Sequence, residues 1–224
     1  MLDADLSARI QHLVLLIPGF LLAITVHEFT HGWVANRFGD PTAKIAGRLT
    51  FNPIPHLDLF GTIFLVLTAI SGFGLGWAKP VPVDPRYLRN PRSDIMWISL
   101  GGPAANVVTA TVLAILFHIL LGTGLVSPFG GGVSGIVLLP LLQMLVIAVQ
   151  INVVLAVFNL IPIPPLDGAA ILEGILPRQL ANQWELLQPY GFIILLVLLM
   201  TGALNYIIVP PVQFITGILL GRMG

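Results

Sequence analysis

The chain has 224 residues, of which 56% are hydrophobic and 9% charged, with 10 basic against 10 acidic side chains and no cysteine. Soluble domains carry about 25% charged residues, so this composition, with a mean hydropathy of +0.96, points to an all-α polytopic membrane protein with the lipid bilayer as its solvent. Zero net charge without a basic run argues against a nucleic-acid partner, and the lack of cysteine excludes disulfides, thiolate metal sites and cysteine catalysis.

The N-terminal MLDADLSAR is acidic and leads straight into an apolar run, so no cleavable signal peptide is expected and 9–37 is expected to remain as a first membrane helix. Inside it stands VHEFTH. His27 and His31 lie four residues apart and share one helix face, with Glu28 beside them. This is HExxH, two imidazoles spaced for zinc and a glutamate placed to take a proton from water on the metal. A glutamate at membrane depth costs at least about 2–3 kcal/mol unless it has a role and partners, and a metal site supplies both. The helix should stop at RFGDP, where Gly39 can cap it and Pro41 blocks continuation. Residues 27–31 then lie about 9–16 Å inside that end.

Next come AGRLTFNP and WAKPVPVD, which read as short β-strands flanking a run at 57–76. The second half of that run, SGFGLG, has glycine at positions 72, 74 and 76, each weakening a helix by about 1 kcal/mol relative to alanine. A helix over 56–70 rises about 22 Å and an extended 71–76 returns about 20 Å, so a re-entrant helix/extended hairpin is permitted. The basic residues favour it. With re-entry Arg37, Lys44, Arg48, Lys79, Arg86, Arg89, Arg92, Arg178 and Arg222 all fall on one side, leaving Arg9 opposite. Irregular backbone at that depth implies a polar cavity. Pro80 and Pro82 remove N–H groups from one side of their strand, which leaves 46–51 as the free edge. Arg48, Leu49, Thr50 and Phe51 are thus expected to receive an unwound substrate by strand addition.

Further runs at 94–121, 134–161, 187–203 and 205–222 bring the expected spans to about five. GGPAAN opens the first of these with Gly101, Gly102 and Ala104, small enough for close backbone approach. His118, alone on its helix, is expected to be satisfied by a neighbouring helix. The 134–161 run ends in FNLIPIPPLDG, whose prolines at 162, 164 and 165 stop the helix and leave carbonyls unpaired. Holding Asp167 against a metal is one reason for such a break. A catalytic zinc takes three protein ligands and a water, and GWVANR after His31 supplies no third. Asp167 is the favoured third ligand, with His56 as an alternative and helix capping as another role for Asp167. The last two runs carry few polar groups and read as gate or scaffold.

HEFTH, GRLTFNPIPHLD, GWAKPVPV, GGPAAN and NLIPIPPLDG, in this order and spacing, resemble the site-2 protease family of intramembrane zinc metallopeptidases, peptidase family M50, most of all its compact bacterial branch. The resemblance covers about residues 20–175. It implies a single domain over 1–224, with a catalytic core at about 9–175 and a C-terminal helix pair at 187–222. It also implies one zinc per chain on His27, His31 and Asp167, water activation by Glu28, and Asn106 and Asn159 steadying the substrate carbonyl or oxyanion. The expected substrate is a transmembrane protein cut near the cytoplasmic side of the cell membrane. Two departures stand out: no insertion is large enough for a PDZ or CBS domain, and TIFLVL lacks the proline expected there. The rival classes are an ion or solute transporter using the same buried polar groups and a catalytically inactive binder of membrane proteins. No inverted repeat of broken helices is visible, and retention of both HExxH and LDG argues against the inactive binder.

Overall fold

Within a bilayer each backbone N–H and C=O must be satisfied inside its own segment, which turns long apolar runs into helices. The computed structural model describes residues 2–71, 76–123 and 134–221. Its α-helices are α1 (Leu2–Arg37), α2 (Thr42–Ile45), α3 (Leu59–Ser71), α4 (Pro91–Gly122), α5 (Leu139–Asn159), α6 (Asp167–Ile175), α7 (Arg178–Glu185), α8 (Gly191–Met200) and α9 (Ala203–Leu220). Five stretches are long and apolar enough to cross a membrane: Leu13–Arg37, Pro91–Gly122, Ile136–Asn159, Arg178–Met200 and Ala203–Leu220. They match the runs read from the sequence.

The centre of the fold is the α1–α4–α5 bundle. His31 contacts the Ile98 carbonyl and His27 contacts Asn106, so α4 runs antiparallel to α1. Gly19 abuts Ala148, and Asn106 bridges the Ala23 carbonyl to Asn152, so α5 runs parallel to α1 in a constant register. A Cβ on Gly19 would come within 2.9 Å of the Ala148 backbone, so glycine permits this approach. Contact of this kind, rather than a hydrophobic driving force, holds helices together in lipid. At the end remote from the histidines, Ala110, Ala114, Phe117, Leu142, Leu145, Val149, Val153 and Leu220 form the packed core.

Antiparallel α1 and α4 mean that the chain leaves one and enters the other at the same end of the bundle, here the site end. Arg37 and Pro91 therefore lie at the same end of the bundle. α3 forms the first half of the 57–76 run, and residues 72–75 of the expected hairpin lie outside the described residues. Beyond them the chain is back beside its start. Trp77 lies against Gly61, its ring 5.3 Å from that of Phe64, and the Lys79 N–H donates to the His56 carbonyl at 2.9 Å.

The expected flanking strands are corrected. Among the described residues there is no strand, only an isolated antiparallel bridge between Leu57 and Ala78. Gly47, at φ +67°, ends α2: its N–H donates to the Lys44 carbonyl at 3.1 Å and the Arg48 N–H to the Ala43 carbonyl at 2.9 Å. That is a Schellman closure, so the stretch read as a strand start is a helix cap.

The C-terminal pair packs towards both ends of the bundle. The His118 Nε2–H donates to the Leu219 carbonyl at 2.9 Å, which puts the end of α9 beside the far end of α4. Gly191, opening α8, packs against Pro164 near the site end. α8 has ten residues, about 15 Å of rise, and stops at Gly202 with φ +73°.

Candidate active site

Three side chains from two distant stretches converge. His27 Nε2 and His31 Nε2 are 3.0 Å apart, and Asp167 Oδ2 lies 3.2 Å from the first and 3.3 Å from the second. The protons are assigned by the partners. The Ile98 carbonyl can only accept, so His31 Nδ1–H donates to it at 2.7 Å. Asn106 spends its Nδ2 hydrogens on the Ala23 carbonyl at 3.0 Å and Asn152 Oδ1 at 2.9 Å, so its Oδ1 accepts from His27 Nδ1–H at 2.6 Å. Both Nε2 atoms then present lone pairs, and Asp167 Oδ2 is buried without a hydrogen-bond donor. Three electron-rich atoms in contact repel one another unless a cation joins them. Tetrahedral zinc with ligand bonds of about 2.0–2.1 Å sets its ligand atoms roughly 3.3–3.4 Å apart, so the triangle and its donor set fit zinc. Among the described residues these three are the one His, Cys, Asp and Glu group able to hold a metal ion.

Local sequence explains the convergence. The i, i+4 spacing stacks the two imidazoles, and Gly102 of α4 leaves them room: a Cβ there would lie 2.5 Å from His31 Nε2 and 2.7 Å from His27 Cε1. The helix α6 that opens with Asp167 is pinned at both ends. Gly168 rests on the carbonyls ending α5, where a Cβ would meet that of Ile161 at 2.5 Å. At the other end Arg92 Nε donates to the Glu173 carbonyl at 3.0 Å and its Nη2 reaches the Leu176 carbonyl, satisfying groups that a helix C-terminus leaves open.

Glu28 is buried beside the triangle, and its Oε2 accepts from the Val81 N–H at 2.9 Å. Val81 belongs to the extended chain after the 57–76 run, and Arg48 fixes that chain from behind. The guanidinium donates to the Lys79 carbonyl at 2.5 Å and the Pro80 carbonyl at 3.2 Å. A cavity of about 680 Å³ opens on the triangle, walled by α1, α5, the start of α6, residues 76–83 and Ser99 of α4.

The structure brings His27, Glu28, His31 and Asp167 together and leaves His56 out. His56 is fully buried, its Nε2–H donating to the Thr50 carbonyl at 2.9 Å. Asp167 makes no capping bond, because Leu166 holds the N-cap position. Asn159 lines the cavity, with one amide hydrogen given to the Leu155 carbonyl at 3.0 Å. Asn106 stands behind His27 with both amide hydrogens committed, so no N–H is left for an oxyanion. The expected edge Arg48–Phe51 is corrected as well: the Arg48 N–H caps α2, the Thr50 carbonyl holds His56, and Phe51 stacks on Phe29 at 4.2 Å. It is 76–83 that faces the cavity. Sequence reading gave no role to Val81, Ser99 or Arg92: Val81 lies in the GWAKPVPV stretch but acts through its backbone N–H, and Ser99 and Arg92 carry no local signal of what they touch.

The model of Peptidase family M50 matches residues 15–199. "Putative zinc metalloprotease YwhC" of Bacillus subtilis is 40% identical over 198 residues, covering 87% of this chain and 84% of that protein. "Putative zinc metalloprotease Rip2" of Mycolicibacterium smegmatis is 33% identical over 198 residues, 86% of this chain and 69% of its own length. The Mycobacterium tuberculosis H37Rv protein of the same name is 30% identical over 195 residues, again 86% and 69%. No solved structure matches. A match that takes in α1 with its HExxH turn, α4, α5 and Asp167 covers every element that builds the triangle, and the chain belongs to Peptidase family M50, the site-2 protease family.

Proposed function

We propose that this chain is an intramembrane zinc endopeptidase that hydrolyses a peptide bond in or next to a transmembrane segment, near the cytoplasmic face of the cell membrane. The observation that carries the reading is the His27–His31–Asp167 triangle with Glu28 beside it, on the wall of a cavity lined by apolar helices. Between the α1 and α4 ends nearest the site lie Lys44, Arg48, Lys79, Arg86 and Arg89, with Arg37 and Arg92 at those ends. The positive-inside rule makes that end cytoplasmic. On this reading the 57–76 run re-enters rather than spans.

His27, His31 and Asp167 would hold zinc, which when bound would supply Lewis-acid polarisation of the scissile carbonyl and a lowered pKa for water. Glu28 takes the proton of the attacking water on its carboxylate and returns it to the leaving amine nitrogen, while the Val81 N–H keeps that carboxylate aimed. Asn106 is a positioning residue that fixes the tautomer and tilt of His27. Asn159 and Ser99 are neutral polar groups on the cavity wall, and they are the donors we assign to the substrate carbonyl.

The test is cleavage of a single-span substrate by the purified full chain in proteoliposomes. Cleavage is expected to stop on zinc chelation, return on zinc addition, and yield fragments whose new ends map to the cytoplasmic third of the span. Activity indifferent to chelation would refute the metal reading, and cuts at the opposite end would refute the orientation. Topology is checked separately. A cysteine replacing Ser71 should resist an impermeant thiol reagent applied outside intact cells, and one replacing Thr123 should react. Strong labelling at Ser71 would mean that 57–76 crosses the membrane.

A further inference from the structure

The cavity does not end at the triangle. It continues between α1 and α5 past Leu16, Phe20 and Ile151, and Gln150 stands on its wall. Positions 147, 150, 151, 154, 155, 158 and 159 form the cavity-facing stripe of α5, in which Gln150 and Asn159 alone are polar. Gln150 is exposed and makes no hydrogen bond among the described residues. Asn152, two positions on, shows the contrast: it is fully buried, donates to the Ala148 carbonyl at 2.8 Å and accepts from Asn106 at 2.9 Å.

The depth of Gln150 follows from the helix register. Gly19 pairs with Ala148 and Ala23 with Asn152, so His27 is level with about residue 156 of α5. Gln150 therefore lies about six residues, roughly 9 Å, deeper towards the far end. A primary amide without partners in that setting is costly, and it offers two donors and an acceptor to whatever enters.

We propose that Gln150 is a docking point for the transmembrane substrate, hydrogen-bonding an Asn, Gln, Ser or Thr side chain in the segment's membrane-embedded part. Where that partner sits relative to the cut rests on the peptidase reading above. A distance of about 9 Å corresponds to about six residues if the intervening substrate is helical and about three if it is extended. A segment of leucine and valine cannot answer the amide. The same polar side chains compete for backbone groups and loosen a helix, so docking selects segments that unwind more readily.

The experiment uses the full-length Glu28→Gln protein in proteoliposomes and dansyl-labelled apolar transmembrane peptides in which a single Asn is moved along the segment. Binding is read by energy transfer from the protein's tryptophans. One Asn position, three to six residues from the cut that the wild type makes, should tighten binding about threefold to fifteenfold over the all-apolar peptide. In Glu28→Gln/Gln150→Leu all peptides should bind alike, and Gln150→Asn should weaken or move the preference. Zinc content of both leucine and asparagine variants checks that the site is intact. A preference that survives Gln150→Leu, or no preference at any Asn position in the Glu28→Gln protein, would overturn the proposal. Wild-type cleavage is scored apart: if no peptide is cut while the Asn preference stands, the peptidase reading falls and the docking point remains.

Discussion

Asp167→Ala is expected to strip the metal and the activity together, leaving purified protein with far less than the one zinc per chain expected of the wild type. Removing one of three ligands leaves two imidazoles, and a catalytic zinc is ordinarily held by three protein side chains. His27→Ala and His31→Ala should behave alike, because each supplies one corner of a triangle with edges of 3.0, 3.2 and 3.3 Å. Asn106→Ala should be milder, weakening zinc by about 10- to 100-fold, the usual effect of losing a partner that orients a ligand. His56→Ala should keep its zinc, since that ring bonds the Thr50 carbonyl. Elemental analysis of the variants beside the wild type reads all of these. A His56→Ala protein without metal, beside an Asp167→Ala protein that retains it, would show that the third ligand has been misassigned.

Glu28→Gln should separate chemistry from metal binding. Glutamine keeps the size of the side chain and can still accept from the Val81 N–H, but it cannot accept the proton of the attacking water. Zinc content and thermal stability should match the wild type while the cleavage rate falls by about 100- to 10,000-fold, the typical share of general acid–base catalysis. Arg48 gives a graded companion. Its fork holds the carbonyls of Lys79 and Pro80, the two residues before Val81. Arg48→Lys keeps the charge but loses the fork geometry, so kcat should drop several-fold with zinc and KM little changed. Near wild-type cleavage by a zinc-loaded Glu28→Gln protein would remove Glu28 from the mechanism. It would leave VHEFTH as a metal site of another kind.

The sequence by itself determined whatever depends on spacing along one segment. Hydropathy located the long apolar helices because a bilayer forces each segment to satisfy its own backbone. The four-residue step put His27 and His31 on one face, and the prolines before Asp167 marked a break that needed a purpose. What only the tertiary structure decided are matters of which group reaches which across the bundle. Asn106, read as an oxyanion donor by resemblance, has its hydrogens taken by Ala23 and Asn152 and its oxygen by His27. Those partners come from two other helices, and no local pattern encodes them. Arg48–Phe51 looked like a free strand edge because Pro80 and Pro82 remove N–H groups from the other stretch, yet Gly47 in a left-handed conformation spends the Arg48 amide on closing α2. The guanidinium then finds carbonyls 31 and 32 residues away. α8 and α9 were legible as apolar helices, but only the packing shows what they meet: the end of α9 lies beside the far end of α4 through His118 and Leu219, and the start of α8 lies beside Pro164. Hydropathy reports that a segment prefers lipid, but direction and depth are set by the packing of side chains from distant parts of the chain.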